Sequence, residues 1–255
     1  MPYKPEEECN DGRETELLQF IRSHPQYSSM KNSPEAVLAA IDEFGTTKDF
    51  LMNVGQEKGA VVTKIISEQK PKTLIEIGCY VGFSAILFGN EFRKAGGQKY
   101  LSLELNPTFA SVARELVALA GLDQIVEIIE GPCRESLRSL HKQGAGAFDI
   151  IFIDHAKVLY LDELKLCEEL GFVRPGTTVI ADDMILPGNA AYSAYVRDSP
   201  ELKKQHLEEN KANKGEGDMS LGNPYLIYET TLIHGREPTG RDDAVEISWC
   251  KGETL

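Results

Sequence analysis

KTLIEIGCYVGFSAILFGNEFRKA, residues 72–95, changes its hydrophobic period across a single glycine turn. KTLIEIG (72–78) is a short run rich in isoleucine and reads as a strand. GFSAILFGNEFRKA (82–95) carries apolar residues at helical spacing. A strand that passes through a glycine turn into an amphipathic helix is the first half of a βαβ unit. The alternation continues downstream. KYLSLEL (99–105), QIVEIIEG (124–131), FDIIFID (148–154) and TTVIADDM (177–184) read as strands, with NPTFASVARELVALAG, CRESLRSLHKQ and YLDELKLCEELGF as the helices between them. Five apolar strands separated by helices predict a parallel sheet covered on both faces.

Upstream, GRETELLQFIR, SPEAVLAAIDEFG and QEKGAVVTKIISEQ have helical periodicity. Serine-proline marks the start of the second, and its glycine is expected to end it. TTKDFLMNVG reads as a turn. Beyond the fifth strand, AAYSAYVRDSPELKKQ (190–205) predicts one further helix and EENKANKGEGDMSLGN (208–223) a mobile loop. PYLIYETTLI and DAVEISWCK, joined by REPTGRD, predict an antiparallel edge pair. The expected fold is α/β: a doubly wound, mostly parallel seven-stranded sheet. One domain over 1–255 is expected, with helices of 1–70 covering a sheet core of 71–255.

The composition sets limits on partners. The 255 residues are 42% hydrophobic, enough to bury a core. A formal charge of −13 and a pI of 4.9 argue against nucleic-acid phosphates or an anionic membrane as partners. The five cysteines are scattered, with no zinc-ligand spacing. No apolar run is long enough to span a bilayer, and MPYKPEEECN is unlike a signal peptide. A cytoplasmic protein is expected.

Three stretches carry chemistry. In IEIGCYVGFSA (75–85), Gly78 and Gly82 allow a tight turn and a close approach to a ligand at the edge where such sheets bind. The dinucleotide pattern G-x-G-x-x-G is absent, and Glu76 would repel a phosphate, so a cationic or amine-bearing ligand suits it better. Glu104 ends the second strand, where an acid accepts the two hydroxyls of a ribose. A nucleoside without a pyrophosphate, such as S-adenosylmethionine, fits both. The plain alternatives are a bare βα turn and a solvated strand end.

Asp154 ends the fourth strand, and Asp182 and Asp183 end the fifth. Three convergent carboxylates require a cation or protons, and Mg²⁺ takes such ligands. Alternatively, Asp154 caps the next helix and the others face solvent. Lys157, on the following turn, is a base if burial beside a metal lowers its pKa, and otherwise a surface lysine. His155 taken alone reads more readily as a structural histidine.

MNVGQEKG (52–59), IEIGCYVGFSA (75–85), LELNP (103–107), IDHAK (153–157) and ADDMILPG (181–188), with SPEAVLAAIDEF and AYVRDS (194–199), together resemble the catechol O-methyltransferase family in order and spacing. That resemblance implies a class I methyltransferase fold, Rossmann-like, and Mg²⁺-dependent methyl transfer from S-adenosylmethionine to one hydroxyl of a catechol. It implies Asp154, Asp182 and Asp183 as metal ligands and Lys157 as general base. His155 would contact adenine, with Cys133 and Arg134 nearby in place of the family's usual Ser-Gln. Glu104 would hold the ribose. Asn53, Val54, Glu76, Gly78, Tyr80 and Ser84 would surround the methionine part, and Met52 would lie near the methyl. Asp183 stands where the family usually has Asn, which adds a charge and bears on metal choice. Phe50 and Ala156 stand where mammalian members carry tryptophans, while Pro187 keeps its place, so a wider catechol pocket is implied. Glu229 is the candidate for the family's substrate-orienting acid. A small-molecule substrate and a monomer are expected.

Three other readings stay in view. One is a related cation-dependent enzyme for bulkier vicinal diphenols of caffeoyl or polyketide type. Another is an inactive cofactor-binding module, and the last a nicotinamide dehydrogenase, which lacks its fingerprint.

Overall fold

The computed structural model describes residues 10–212 and 220–254. Helices α1 (Arg13–Ser23), α2 (Tyr27–Met30), α3 (Pro34–Thr47) and α4 (Gln56–Gln69) precede the sheet. Then follow β1 (Thr73–Ile77), α5 (Phe83–Lys94), β2 (Lys99–Glu104), α6 (Pro107–Leu119), β3 (Val126–Glu130), α7 (Cys133–Lys142), β4 (Ile150–Ile153), α8 (Tyr160–Glu169) and β5 (Thr178–Ala181). Helices α9 (Ala190–Arg197) and α10 (Pro200–Ala212) lead to the hairpin of β6 (Leu226–Arg236) and β7 (Asp242–Glu253).

The strands lie in the order β3-β2-β1-β4-β5-β7-β6. The first five are parallel, and β7 runs antiparallel to both β5 and β6. The fold is therefore the seven-stranded, mostly parallel α/β sheet expected from the alternation, with the antiparallel pair at one edge. Its order reverses between β1 and β4, the switch point where such sheets open a crevice.

Both faces are covered. Leu74, Ile150, Phe152 and Ile180 pack on one side with residues of α1 and α3 to α6, while Ile75, Ile77, Ile151, Ile153 and Val179 pack on the other with α7, α8 and α9. Successive side chains of one strand enter opposite cores, so the strands read as unbroken apolar runs.

Capping explains several starts. Ser33 Oγ accepts from Ala36 N at 3.3 Å, and Asn106 Oδ1 from Thr108 N at 2.9 Å, each followed by a proline suited to the first helical turn.

Three local expectations change. The segment 190–205 is two helices, because Ser199-Pro200 restarts the chain after Asp198 turns extended (ψ 142°). Gly45 does not stop α3, which runs on to Thr47. Of the loop expected at 208–223, residues 208–212 belong to α10 and 220–223 are irregular; the rest lies outside the described residues. No helix among the described residues is long and apolar enough to cross a membrane.

Candidate active site

Register builds the site. Ile77 pairs with Leu103 and with Ile153, and Ile153 with Ala181. The next residue on each strand is Gly78, Glu104, Asp154 and Asp182, so one row of adjacent strand tips presents a glycine and three carboxylates. Gly78, Glu104 and Asp154 border a cavity of about 730 Å³, lined also by Asn53, Tyr80, His155, Lys157 and Asp183, with Asp182 buried behind it.

At the β1–β2 end the chain is already complete. Glu104 Oε2 accepts from Tyr80 N at 2.8 Å and Cys79 N at 3.2 Å, and Oε1 from Asn106 N at 2.8 Å. Backbone amides thereby fix the carboxylate. Gly78 sits at φ 100°, and a Cβ there would stand 2.1 Å from the carbonyl oxygen of Asp154. Only glycine permits β1 and β4 to approach so closely. Tyr80 donates its hydroxyl to buried Glu14 of α1 at 2.9 Å, which ties the N-terminal cover to the turn.

Three buried polar groups along this cavity have no hydrogen-bond partner: Asn53 Oδ1, both ring nitrogens of His155, and Glu163 Oε2. Unsatisfied buried polar atoms are costly unless a ligand completes them. Burial holds His155 neutral, its pKa lowered to about 3, and its ring stacks on Tyr160 at 5.3 Å.

The β4–β5 end is charged. One oxygen from each of Asp154, Asp182 and Asp183 falls within 4.8 Å of the others. Lys157 Nζ lies 3.1 Å from Asp154 Oδ1 and 2.8 Å from Asp183 Oδ2, and donates to Tyr160. Lys58, fully buried, reaches in from α4. Its Nζ lies 2.9 Å from Asp182 Oδ1, 2.7 Å from Asp183 Oδ1 and 2.6 Å from Asp243 Oδ2, and it pairs with Glu237. An ammonium has three donors. They go to Asp183, Glu237 and Asp243, so buried Asp182 Oδ1 receives no hydrogen bond.

The charges are correspondingly strained. Burial, with Asp183 and Asp154 adding repulsion, pushes Asp182 well above the usual carboxylate range. Burial likewise raises Asp154 against the pull of Lys157. Asp183 is half-buried, and there Lys157 and Lys58 hold it below that range. Burial would lower both lysines, but the carboxylates outweigh it and keep them above the ordinary lysine value. The sequence reading expected a lowered pKa for Lys157 only beside a bound metal. The observed geometry pairs it with two acids. An all-oxygen cluster with an orphaned buried carboxylate oxygen suits a hard divalent ion.

Met52, Val54, Ser84, Cys133, Arg134, Ala156 and Pro187 also line the cavity. Arg134 donates to Ser220 at 3.0 Å. Glu76 is not on the lining. It is buried at the foot of the turn, accepts from Ser102 and Tyr100, and has its pKa raised by burial to about 7. Phe50 is not on the lining either; its carbonyl accepts from Arg13 at 2.6 Å.

Glu229 does not line the cavity. It stands mid-strand on β6, exposed, and pairs with Lys251 at 3.0 Å. The acid of this hairpin that lines the cavity is Glu237, in the turn between β6 and β7. Lys58, Glu237 and Asp243 went unread in the sequence. A signal existed for Lys58, which stands four and seven residues before Val62 and Ile65, on the apolar stripe of α4.

A doubly wound sheet with a glycine turn, a strand-tip acid and a carboxylate cluster at its switch point defines a nucleoside-binding α/β protein with an acidic reaction centre. The O-methyltransferase family model matches residues 28–215. Catechol O-methyltransferase B of Danio rerio is 35% identical over 80% of this chain and 76% of its own. The catechol O-methyltransferase of Bos taurus is 33% identical over 76% and 70%. Among solved structures, an O-methyltransferase of Bacillus cereus superposes with a TM-score of 0.61 over 94% of this chain and all of its own, at 21% identity, a likeness of fold. The chain therefore belongs to the O-methyltransferase family, in company with the catechol O-methyltransferases.

Proposed function

We propose that the protein transfers the methyl group of S-adenosylmethionine to one hydroxyl of a catechol, in a reaction that depends on Mg²⁺ or a similar divalent ion. The observation that carries this reading is the convergence of Asp154, Asp182 and Asp183 at a cavity that Asp154 and Asp183 line together with Gly78 and Glu104. The names of the catechol-methylating relatives support it.

Glu104 stands where a ribose's hydroxyls need an acceptor, and the unpartnered atoms of Asn53 and His155 offer sites for the methionine and base ends. Asp154, Asp182 and Asp183 would hold the ion, which when bound supplies the positive charge that favours phenolate over phenol. Lys157, whose Nζ lies on the cavity beside these carboxylates, would accept the proton once a bound ion offsets the negative charge that raises its pKa. The phenolic oxygen then bonds to the methyl carbon as the carbon–sulfur bond breaks and the sulfonium becomes a neutral thioether. Glu237, beside Asp183, takes the orienting role assigned to Glu229 from the sequence. The chain's main contribution is orientation, worth roughly 7–11 kcal/mol in well-aligned reactions.

A second reading, bulkier vicinal diphenols, is favoured by the cavity wall: Ala156 is small, and Val158 beside it is 86% exposed. Methyl transfer to a panel of small and bulky catechols, with and without EDTA, tests both. Activity is expected to vanish in EDTA, return with Mg²⁺ and fall at least about 100-fold in Lys157→Ala. Full activity in EDTA sinks the metal-dependent reaction. Cofactor binding without methylation of any catechol leaves a binding module.

A further inference from the structure

We propose that Lys58 is a tethered cation that fills a second cation position beside Asp154, Asp182 and Asp183 and so limits the site to one divalent ion. The inference rests on the metal-dependent reading above.

Two groups of three carboxylates lie side by side and share Asp183. Asp154, Asp182 and Asp183 form one, and Asp183, Glu237 and Asp243 the other, each with one oxygen apiece within 4.8 Å. A carboxylate shared between two such groups is the usual framework of a two-metal centre, whose ions sit about 3.5–4 Å apart. Here the second group already encloses a positive charge. Lys58 Nζ hydrogen-bonds all three of its members and has no donor left.

The arrangement divides Asp183. Its Oδ1 faces Lys58 while its Oδ2 faces Lys157 and the first group. Asp243 is tied further: its Oδ1 accepts from the backbone N–H of Ile185 and Leu186, both at 3.0 Å. The ammonium therefore joins α4, the segment after β5, the β6–β7 turn and β7 at one point.

The lysine stem is held as firmly as its head. The residue is wholly buried, and a Cβ on Gly235 of β6 would stand 3.0 Å from Lys58 Cγ. The stem thus packs closely against the backbone of β6 at Gly235. An ammonium carries half the charge of a divalent ion and cannot dissociate from its own chain. It holds Glu237 and Asp183 in place and lies 2.9 Å from Asp182 Oδ1 without hydrogen-bonding it, which leaves the first group's oxygens to bind an exchangeable ion.

The test is the number of Mn²⁺ ions bound by the full chain after EDTA treatment and dialysis, read from the electron paramagnetic resonance of free Mn²⁺. The native protein is expected to bind one, Lys58→Met two, and Lys58→Met combined with Asp243→Asn one. One ion in both the native protein and folded Lys58→Met overturns the inference and leaves the metal-dependent reading standing. No ion in the native protein overturns that reading, and this inference with it. Lys58→Met also leaves buried carboxylates without their counter-charge, so it risks unfolding. In that case thermal melting with added Mn²⁺ decides: a restored cooperative transition in Lys58→Met, absent from the double variant, supports the second position. No restoration overturns it.

Discussion

The two ends of the cavity handle carboxylates in opposite ways. At the β1–β2 end, Glu104 is met by three backbone N–H groups, which pin it through the geometry of the turn itself. At the β4–β5 end, Asp154, Asp182, Asp183, Glu237 and Asp243 crowd around two lysines, and Asp182 Oδ1 still lacks a donor. Backbone dipoles finish the first end locally. The second end depends on side chains from distant parts of the chain and retains excess negative charge. The lesson is a division of labour: one end fixes its carboxylate with the backbone, while the other leaves carboxylates that call for positive charge.

Breaking the quiet end has the largest expected effect on stability. Gly78→Ala places a methyl against the Asp154 carbonyl at a positive φ. It should cost at least about 3 kcal/mol and lower the melting temperature by roughly 6–12 °C, measured by calorimetry. A melt unchanged within 2 °C, on the order of the shift from 1 kcal/mol, would show that β1 and β4 separate easily.

Glu104→Gln is expected to act on binding more than on folding. Charged hydrogen bonds are worth about 1.5–3 kcal/mol, so the Kd for S-adenosylhomocysteine should rise roughly 10–100-fold. Titration calorimetry measures it, and an unaltered Kd would remove the ribose from Glu104.

The smallest contrast separates two glutamates of the C-terminal hairpin. Glu237→Gln should raise the KM for catechol about tenfold, the scale of one hydrogen bond. Glu229→Gln, at an exposed pair, should shift neither KM nor kcat, since such pairs are worth about 0–1 kcal/mol. Equal effects from both would return the orienting role to β6.

Much of this was legible beforehand, for identifiable reasons. Strand type, order of elements and the parallel core follow from apolar runs whose residues fill two cores at once, a local pattern. Gly78, Glu104, Asp154 and Asp182 were readable because each directly follows an apolar strand, and chemistry gathers at strand ends in this architecture. The break at Ser199-Pro200 was legible in principle, since serine-proline had already marked the start of α3.

Glu237 was not legible because the part of the hairpin at the cavity is its turn, whereas the resemblance offered Glu229 on the strand. Lys58 lies within a segment whose only sequence signal is helical periodicity. Its partners lie 124 to 185 residues away, beyond any periodicity.

The amino-acid sequence by itself determined the kind of sheet, the helical cover, the glycine turn and the row of acids at the strand tips, because period, glycine conformation and strand ends are local properties. Only the tertiary structure decided which carboxylates share a cation, that Lys58 is that cation, and that Glu237 faces the cavity. Electrostatic pairing in a buried site depends on distances of a few ångströms between elements far apart in the chain. Those distances exist only once the hairpin, α4 and the tip of β5 have packed together.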